Sequence, residues 1–325
     1  MKHFFLLAFF FLYLLKGLWG QEYCFSQYYV DKLSISPAFA AIGDYSEIGV
    51  VFRDQWPGIE GGYKIYNVEY QQKLPSFDSG LGVRFFGDVS GGGAYSLNHL
   101  SFGYAYRFSL SDRVKCALGL QTSLFLQTLK QADMVYYSMI ESATGRISPL
   151  NDVVEKNKNL SLNFASGGVF YTKRTLLALG LHNFSSISLV GEKNLKPMTI
   201  TALVNHKLKI ASYTSKNKVE EVFLVPGICF SHNSVSDMVM PGVYFSSKTL
   251  LGTLAFRYQY SNFSSSSFVT GFGFKFKDFE LLFGYDFYFG VLSTRTFNSM
   301  EVGLKYKFEN SEKNNGSKTI LCPAF

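Results

Sequence analysis

Along most of this chain, apolar and polar residues alternate with a period of two. In the stretch Asn298–Phe308, Met300, Val302, Leu304, Tyr306 and Phe308 fall on one side, and Glu301, Gly303, Lys305 and Lys307 on the other. Asn98–Ser109 is clearer still: Leu100, Phe102, Tyr104, Tyr106 and Phe108 face away from Ser101, Gly103, Ala105, Arg107 and Ser109. Such alternation predicts strands with one apolar face. In chain order the pattern predicts strands at Ser46–Arg53, Tyr63–Gln72, Asp78–Asp88, Asn98–Ser109, Val114–Leu126, Leu160–Tyr171 and Thr175–Asn183. It continues with Pro197–Ile210, Val219–Ser231, Asp237–Phe245, Thr249–Ser261, Phe268–Phe276, Phe279–Phe287 and Asn298–Phe308. Pro226 and Pro241 fall inside two of these, where a missing N–H marks a bulge or a strand start.

A soluble sandwich would also alternate, so the character of each face decides. The apolar face is rich in aromatics. The other is Gly, Ser, Asn and single charges such as Arg84, Arg107, Lys115, Arg257, Lys275, Asp286 and Lys305. That contrast suits lipid outside and a polar lumen inside. The connections after even-numbered strands are short: LPSF, SLSD, SSK, KFKD and the somewhat longer SYTSKNK. Those after odd-numbered strands are mostly long: QWPGIEGG, VSGGGAYSL, residues 127–159, SSISLVGEKNLK, NFSSSS and YFGVLSTRTF. Short periplasmic turns alternating with longer outer loops are the rhythm of an outer-membrane barrel, and an even strand count returns both ends to the periplasm. The expected fold is all-β: a transmembrane antiparallel barrel of about 14 strands over residues 46–308, with an N-terminal lead-in and a short periplasmic tail.

Composition agrees. The 33 Phe, 21 Tyr and 29 Gly stand against 8 Pro and 2 Trp, and charged residues make up only 17%. The net charge of +7 is spread over single Lys and Arg, so no nucleic-acid partner is expected. Residues 1–20 read as a signal peptide: Lys2 and His3, an apolar run from Phe4 to Leu15, then Gly17 and Gly20. Residues 21–45 lack sustained alternation and read as a lead-in packed against or inside the barrel; residues 309–325 read as a polar tail. Of the four cysteines, Cys24 and Cys322 lie near the two ends of the mature chain, where a disulfide would form if both ends share a compartment. Separate thiols are the default reading.

Enzyme and metal signatures are missing. His99, His182, His206 and His232 have no ligand spacing, and no G-x-S-x-G elbow or P-loop occurs. No cofactor is expected. A lipid-modifying Ser/His site assembled across strands is the enzymatic alternative. Residues 127–159, with the apolar-aromatic run MVYYSMI, form either a lumen constriction or an outer docking surface.

The start of the mature chain is more specific. FSQYYVDKLSISPAFAA (25–41) and FRDQWPGI (52–59) resemble the entry of the PorP/SprF family, with Ser36 where the family usually has Asn. GLGVRFFGD (80–88), LSFGYAYRFSLSD (100–112), NFASGGVFYTKRTLLALGLHNFS (163–185) and LVPGICF (224–230) are similar to successive family hairpins. LLFGYDFYFGVLSTRTFNSMEVGLKYKF (281–308) is similar to its closing hairpin and final strand, and CPAF (322–325) to a family ending. The resemblance implies an outer-membrane component of the type IX secretion system, linked to export or anchoring of a large surface adhesin and in some cases to gliding motility. It implies contact with periplasmic secretion machinery and brings no catalytic residues. Candidate interaction positions are Phe25, Gln27, Tyr28, Pro37, Ala38, Arg53, Gln55 and Trp56; the plainer reading is that they seat the lead-in against the wall. A porin or small-solute channel is the alternative function.

Overall fold

The computed structural model of the chain describes residues 25–43, 45–130, 156–191, 196–215, 218–260, 265–289 and 298–308. The signal-peptide reading, Cys24, Cys322, most of the 127–159 connection and the 309–325 tail lie outside them. Fifteen strand segments form one antiparallel sheet: β1 (Ser46–Gln55), β2 (Tyr63–Leu74), β3 (Ser79–Ser90), β4 (Tyr95–Ser109), β5 (Lys115–Lys130), β6 (Lys156–Tyr171), β7 (Thr175–Val190), β8 (Thr199–His206), β9 (Leu208–Ser215), β10 (Lys218–Asn233), β11 (Asp237–Ser246), β12 (Leu250–Tyr260), β13 (Ser265–Phe276), β14 (Phe279–Tyr288) and β15 (Ser299–Phe308). β8 and β9 pair with successive halves of β10, so they make one interrupted strand, and the wall is a closed barrel of fourteen.

Closure follows the predicted seam. β15 pairs with β1 from Ser46↔Phe308 to Gln55↔Ser299. Every strand then has two neighbours over the middle of the wall, the condition for a sheet to survive in hydrocarbon. The two faces invert the polarity of a soluble protein. Phe102, Tyr104, Leu118, Leu120, Leu254 and Phe272 are exposed on the outside, while Arg53, Glu69, Asp286, Glu301 and Lys305 are buried within. The alternation in the sequence thus records lipid and lumen.

Several boundaries move. β4 begins at Tyr95, β5 runs to Lys130, β6 starts at Lys156 and β7 runs to Val190, so β4–β7 form the tallest side of the wall. Stretches expected as loops there are strand, because polar residues extend a ladder once it has left the bilayer. VSGGGAYSL is not a long loop: the chain reverses within the 3-10 turn Gly91–Gly93, all three at positive φ. SYTSKNK is not a turn either; its first half completes β9 and Lys218 opens β10. The two prolines sit where the ladder can spare a donor. Pro226 lies opposite the β8–β9 break, between the pairs Leu224↔Leu208 and Gly227↔Asn205. At Pro241 the β11–β12 ladder is interrupted between Val239↔Tyr258 and Gly242↔Ala255, with the register unchanged.

The lead-in lies inside the barrel. It carries two short 3-10 turns, Lys32–Ser34 and Pro37–Ala41, and residues from Phe25 to Ile42 are almost wholly buried. The hydrophobic core of the molecule is therefore the contact between this plug and the lumen wall.

Candidate functional site

The plug is short, and its open turns leave many amides without intrasegment partners. The wall supplies acceptors. Glu301 takes the N–H groups of Ser26 at 2.8 Å and Gln27 at 3.1 Å. Glu69 takes those of Lys32 at 3.3 Å and Leu33 at 3.2 Å. On the far side the Thr201 hydroxyl donates to the Ile35 carbonyl at 2.5 Å, with His182 Nε2 3.2 Å from the same oxygen. Carboxylates aimed at main-chain N–H groups form charge-assisted hydrogen bonds, roughly twice as strong as neutral ones.

Charges lock this arrangement. Arg53, on β1, contacts Glu301 at 2.5 Å and Asp286 at 2.8 Å, and donates to the Tyr288 hydroxyl at 3.0 Å. Arg257 reaches Asp286 at 2.9 Å and Ser26 Oγ at 2.7 Å, and the Ser26 hydroxyl donates to Asp286 at 2.6 Å. One serine of the plug thus sits between two guanidiniums and a carboxylate. A quarter-turn away, Arg84 grips Asp31 of the plug with two bonds of 2.7 and 2.9 Å. Nearer the short turns, Lys32 contacts Glu47 at 2.6 Å, and Lys305 lies between Glu47 and Glu280. Removing one member of such a buried set strands the others, which is expensive.

Shape completes the fit. A Cβ on Gly80 would stand 1.9 Å from the Ala40 carbonyl oxygen, one on Gly119 2.5 Å from the Ala38 nitrogen, and one on Gly180 2.0 Å from the Ile35 carbonyl oxygen. These lumen-facing glycines are where plug backbone touches wall backbone. Gly119→Leu is therefore expected to displace the Pro37–Ala41 turn while leaving the outer face intact. The readout is protease cleavage within residues 25–43, protected in the wild type and exposed in the variant, with the barrel still folded by its heat-modified gel mobility.

Of the predicted positions, Phe25, Gln27, Tyr28, Pro37 and Ala38 lie on the plug, and Arg53 reaches it by donating to Ser26 Oγ at 3.2 Å. Gln55 accepts from Arg53 Nε at 3.0 Å. Trp56 stands apart at the rim, at positive φ, with its ring edge-on to Tyr63 and Tyr288. Sequence reading missed Ser26, Asp31, Glu47, Glu69 and Glu301. For Glu47, Glu69 and Glu301 the signal was opposite charge across paired strands, facing Lys307, Arg84 and Arg53; Ser26 and Asp31, on the plug, had no such signal. Cys116 and Cys229 are buried thiols. Among the described residues, no three His, Cys, Asp or Glu side chains meet as a metal site.

Above the plug, towards the end opposite the short turns, the lumen widens into a cavity of about 530 Å³. Phe25, Leu33 and Ile35 contribute to its lining from the plug, with Phe86, His99 and Phe125 among its walls.

A closed antiparallel barrel with an aromatic outside, a charged lumen and an internal plug defines an outer-membrane β-barrel protein. The particular family follows from sequence: residues 19–306 match the profile of the type IX secretion system membrane protein PorP/SprF, and the chain belongs to that family. No curated protein matches it. Three solved structures similar in fold are distant in sequence. A FadL homologue from Pseudomonas aeruginosa is 9% identical, covering 84% of this chain and 93% of that one, with a TM-score of 0.44. The CymD monoaromatic hydrocarbon channel is 9% identical, covering 91% and 96%, at 0.42. CdiB from Acinetobacter baumannii is 10% identical at 0.37; the match covers 81% of this chain and 60% of CdiB.

Proposed function

We propose that this protein is a plugged, non-conducting barrel that assists export or surface anchoring of a large secreted adhesin by the type IX system, and gliding in cells that glide by it. Membership of the family makes it a membrane protein of that system. The observation that carries the finer reading is the seating of the plug. A pore for solutes has no use for a segment buried from Phe25 to Ile42 and held at Ser26 by Arg53 and Arg257 and at Asp31 by Arg84. The barrel then acts as a scaffold. Its lipid face anchors it, one end meets the secretion machinery and the other holds the adhesin. It performs no catalysis. The two ends of the wall, Ser46 and Phe308, pair with each other at the end that carries the turns 75–78, 110–114, 172–174, 247–249 and 277–278. By the habit of outer-membrane barrels that end faces the periplasm.

The test is purification of the tagged chain from its own cells. A large surface protein is expected to come with it, and loss of the barrel to leave that protein unanchored; a chain purified without any such companion would sink this reading. The orientation has its own check. Gly92→Cys is expected to react with an impermeant thiol reagent on intact cells, and Ser111→Cys to stay protected until the outer membrane is opened. The second reading, a small-solute channel, is favoured by the cavity above the plug. It predicts steady conductance from the purified protein in planar bilayers.

A further inference from the structure

The β9–β10 hairpin leaves the wall at the short-turn end. β7 stops pairing with β8 at Thr175↔His206, and β11 stops pairing with β10 at Ser246↔Phe223. Leu208–Ser215 pairs only with Lys218–Leu224, and beyond Phe223 the two strands form a two-stranded ribbon, Ala211–Ser215 with Lys218–Val222. Residues 208–214 are all exposed, including Leu208, Ile210 and Tyr213. An exposed strand edge is a template for another strand unless something blocks it.

The two edges of the ribbon differ. On the β10 side, Lys248 reaches across from the neighbouring turn to pair with Glu220. On the β9 side, among the described residues, no strand pairs along the outer edge. That edge begins directly beneath the turn before β7, where the Arg174 carbonyl accepts the Lys207 N–H at 2.7 Å. Lys173 and Arg174, on that turn, are exposed, and neither has a carboxylate partner among the described residues; the other turns of this end carry Asp78, Asp112 and Asp278 as well as Arg113 and Lys277. Lys209, on the ribbon itself, pairs with Glu221.

We propose that the free edge of β9 is a strand-addition site, which takes an extended, acidic segment of a periplasmic component of the secretion machinery. Main-chain pairing along β9 supplies affinity. Lys173 and Arg174 select for negative charge beside it, so capture weakens as salt screens them. This proposal rests on the function and orientation given above.

The experiment is affinity purification of the tagged full-length chain from its own cells, with periplasmic type IX components identified by mass spectrometry. Ala211→Pro and Ser212→Pro alter adjacent residues, whose N–H groups point to opposite sides of a strand. One of the two therefore blocks the open edge while sparing the β9–β10 ladder. The charge variant is Lys173→Glu with Arg174→Glu. Recovery is expected to fall by about tenfold or more in the charge variant, as for removal of a charge pair at an interface, and in at least one proline variant. Gel mobility confirms that each barrel is folded. Undiminished recovery in all three overturns this proposal alone. Wild-type chain that recovers no type IX component overturns the functional reading and this proposal with it. A Thr214→Cys cross-link found only to a second copy of the chain, or to its own residues 309–325, also overturns it, because the edge is then already taken.

Discussion

Deleting residues 25–43 turns a silent barrel into a conducting one. The wild type is expected to show no steady current in planar bilayers, because the plug meets the lumen wall through backbone contacts at Gly80, Gly119 and Gly180. Fourteen strands enclose a lumen too wide for wall side chains alone to fill; eight-stranded barrels are those just narrow enough. With the plug gone, the remaining lining is charged and polar, and water enters. The charges left behind favour hydration over collapse, since Arg53, Glu69, Arg84 and Glu301 all regain solvent. Discrete conductance steps in the deletion, absent from the full chain, are the expected record. A deletion that folds by gel mobility and stays silent would mean that the lumen is closed by something other than the plug.

The second large effect is on stability. Arg53→Ala leaves Glu301 and Asp286 facing each other in the closed seam, with Arg257 as the remaining guanidinium. Removing one partner of a buried ion pair costs about 3–5 kcal/mol, and here Glu301 loses its cation while Asp286 keeps only Arg257. The variant is expected to unfold at a clearly lower denaturant concentration and to expose residues 25–43 to protease before the wall opens. Arg53→Lys is expected to fall between the two, because an ammonium keeps the charge but loses the fork that spans Glu301, Asp286 and Tyr288. Equal stability of all three would show that the cluster adds nothing to plug retention.

The wall was legible in the sequence because lipid and lumen impose opposite demands on alternate residues. Val302 and Leu304 point outward, Glu301 and Lys305 inward, and a strict period of two reports that directly. The reading failed where the solvent changes. Beyond the bilayer both faces of a strand meet water, so β7 past Asn183 and the second half of β9, from Ser212, read as loop. The lead-in was recognisable as something other than a strand, and its burial was one of the two readings open. Its partners were not legible. Arg53 and Glu301 are 248 positions apart, and only closure of the barrel brings them within reach. Ser26 gave no local sign of its role, since a serine in an irregular segment usually faces water. Glycines at alternate wall positions were the overlooked clue: Gly80, Gly82, Gly119, Gly167 and Gly180 mark the track along which the plug lies.

The seam between β1 and β15 has a further consequence. Arg53 belongs to the first strand of the wall and Glu301 to the last, and Glu301 also holds the first amides of the plug. None of these groups finds its counterpart while the sheet is open. Zipping the first strand to the last and arresting the plug inside are thus a single event in assembly. A barrel that closed around an empty lumen would enclose Arg84 without Asp31, and Glu69 and Glu301 without the plug amides they accept, so the same contacts that cork the finished protein also proofread its making.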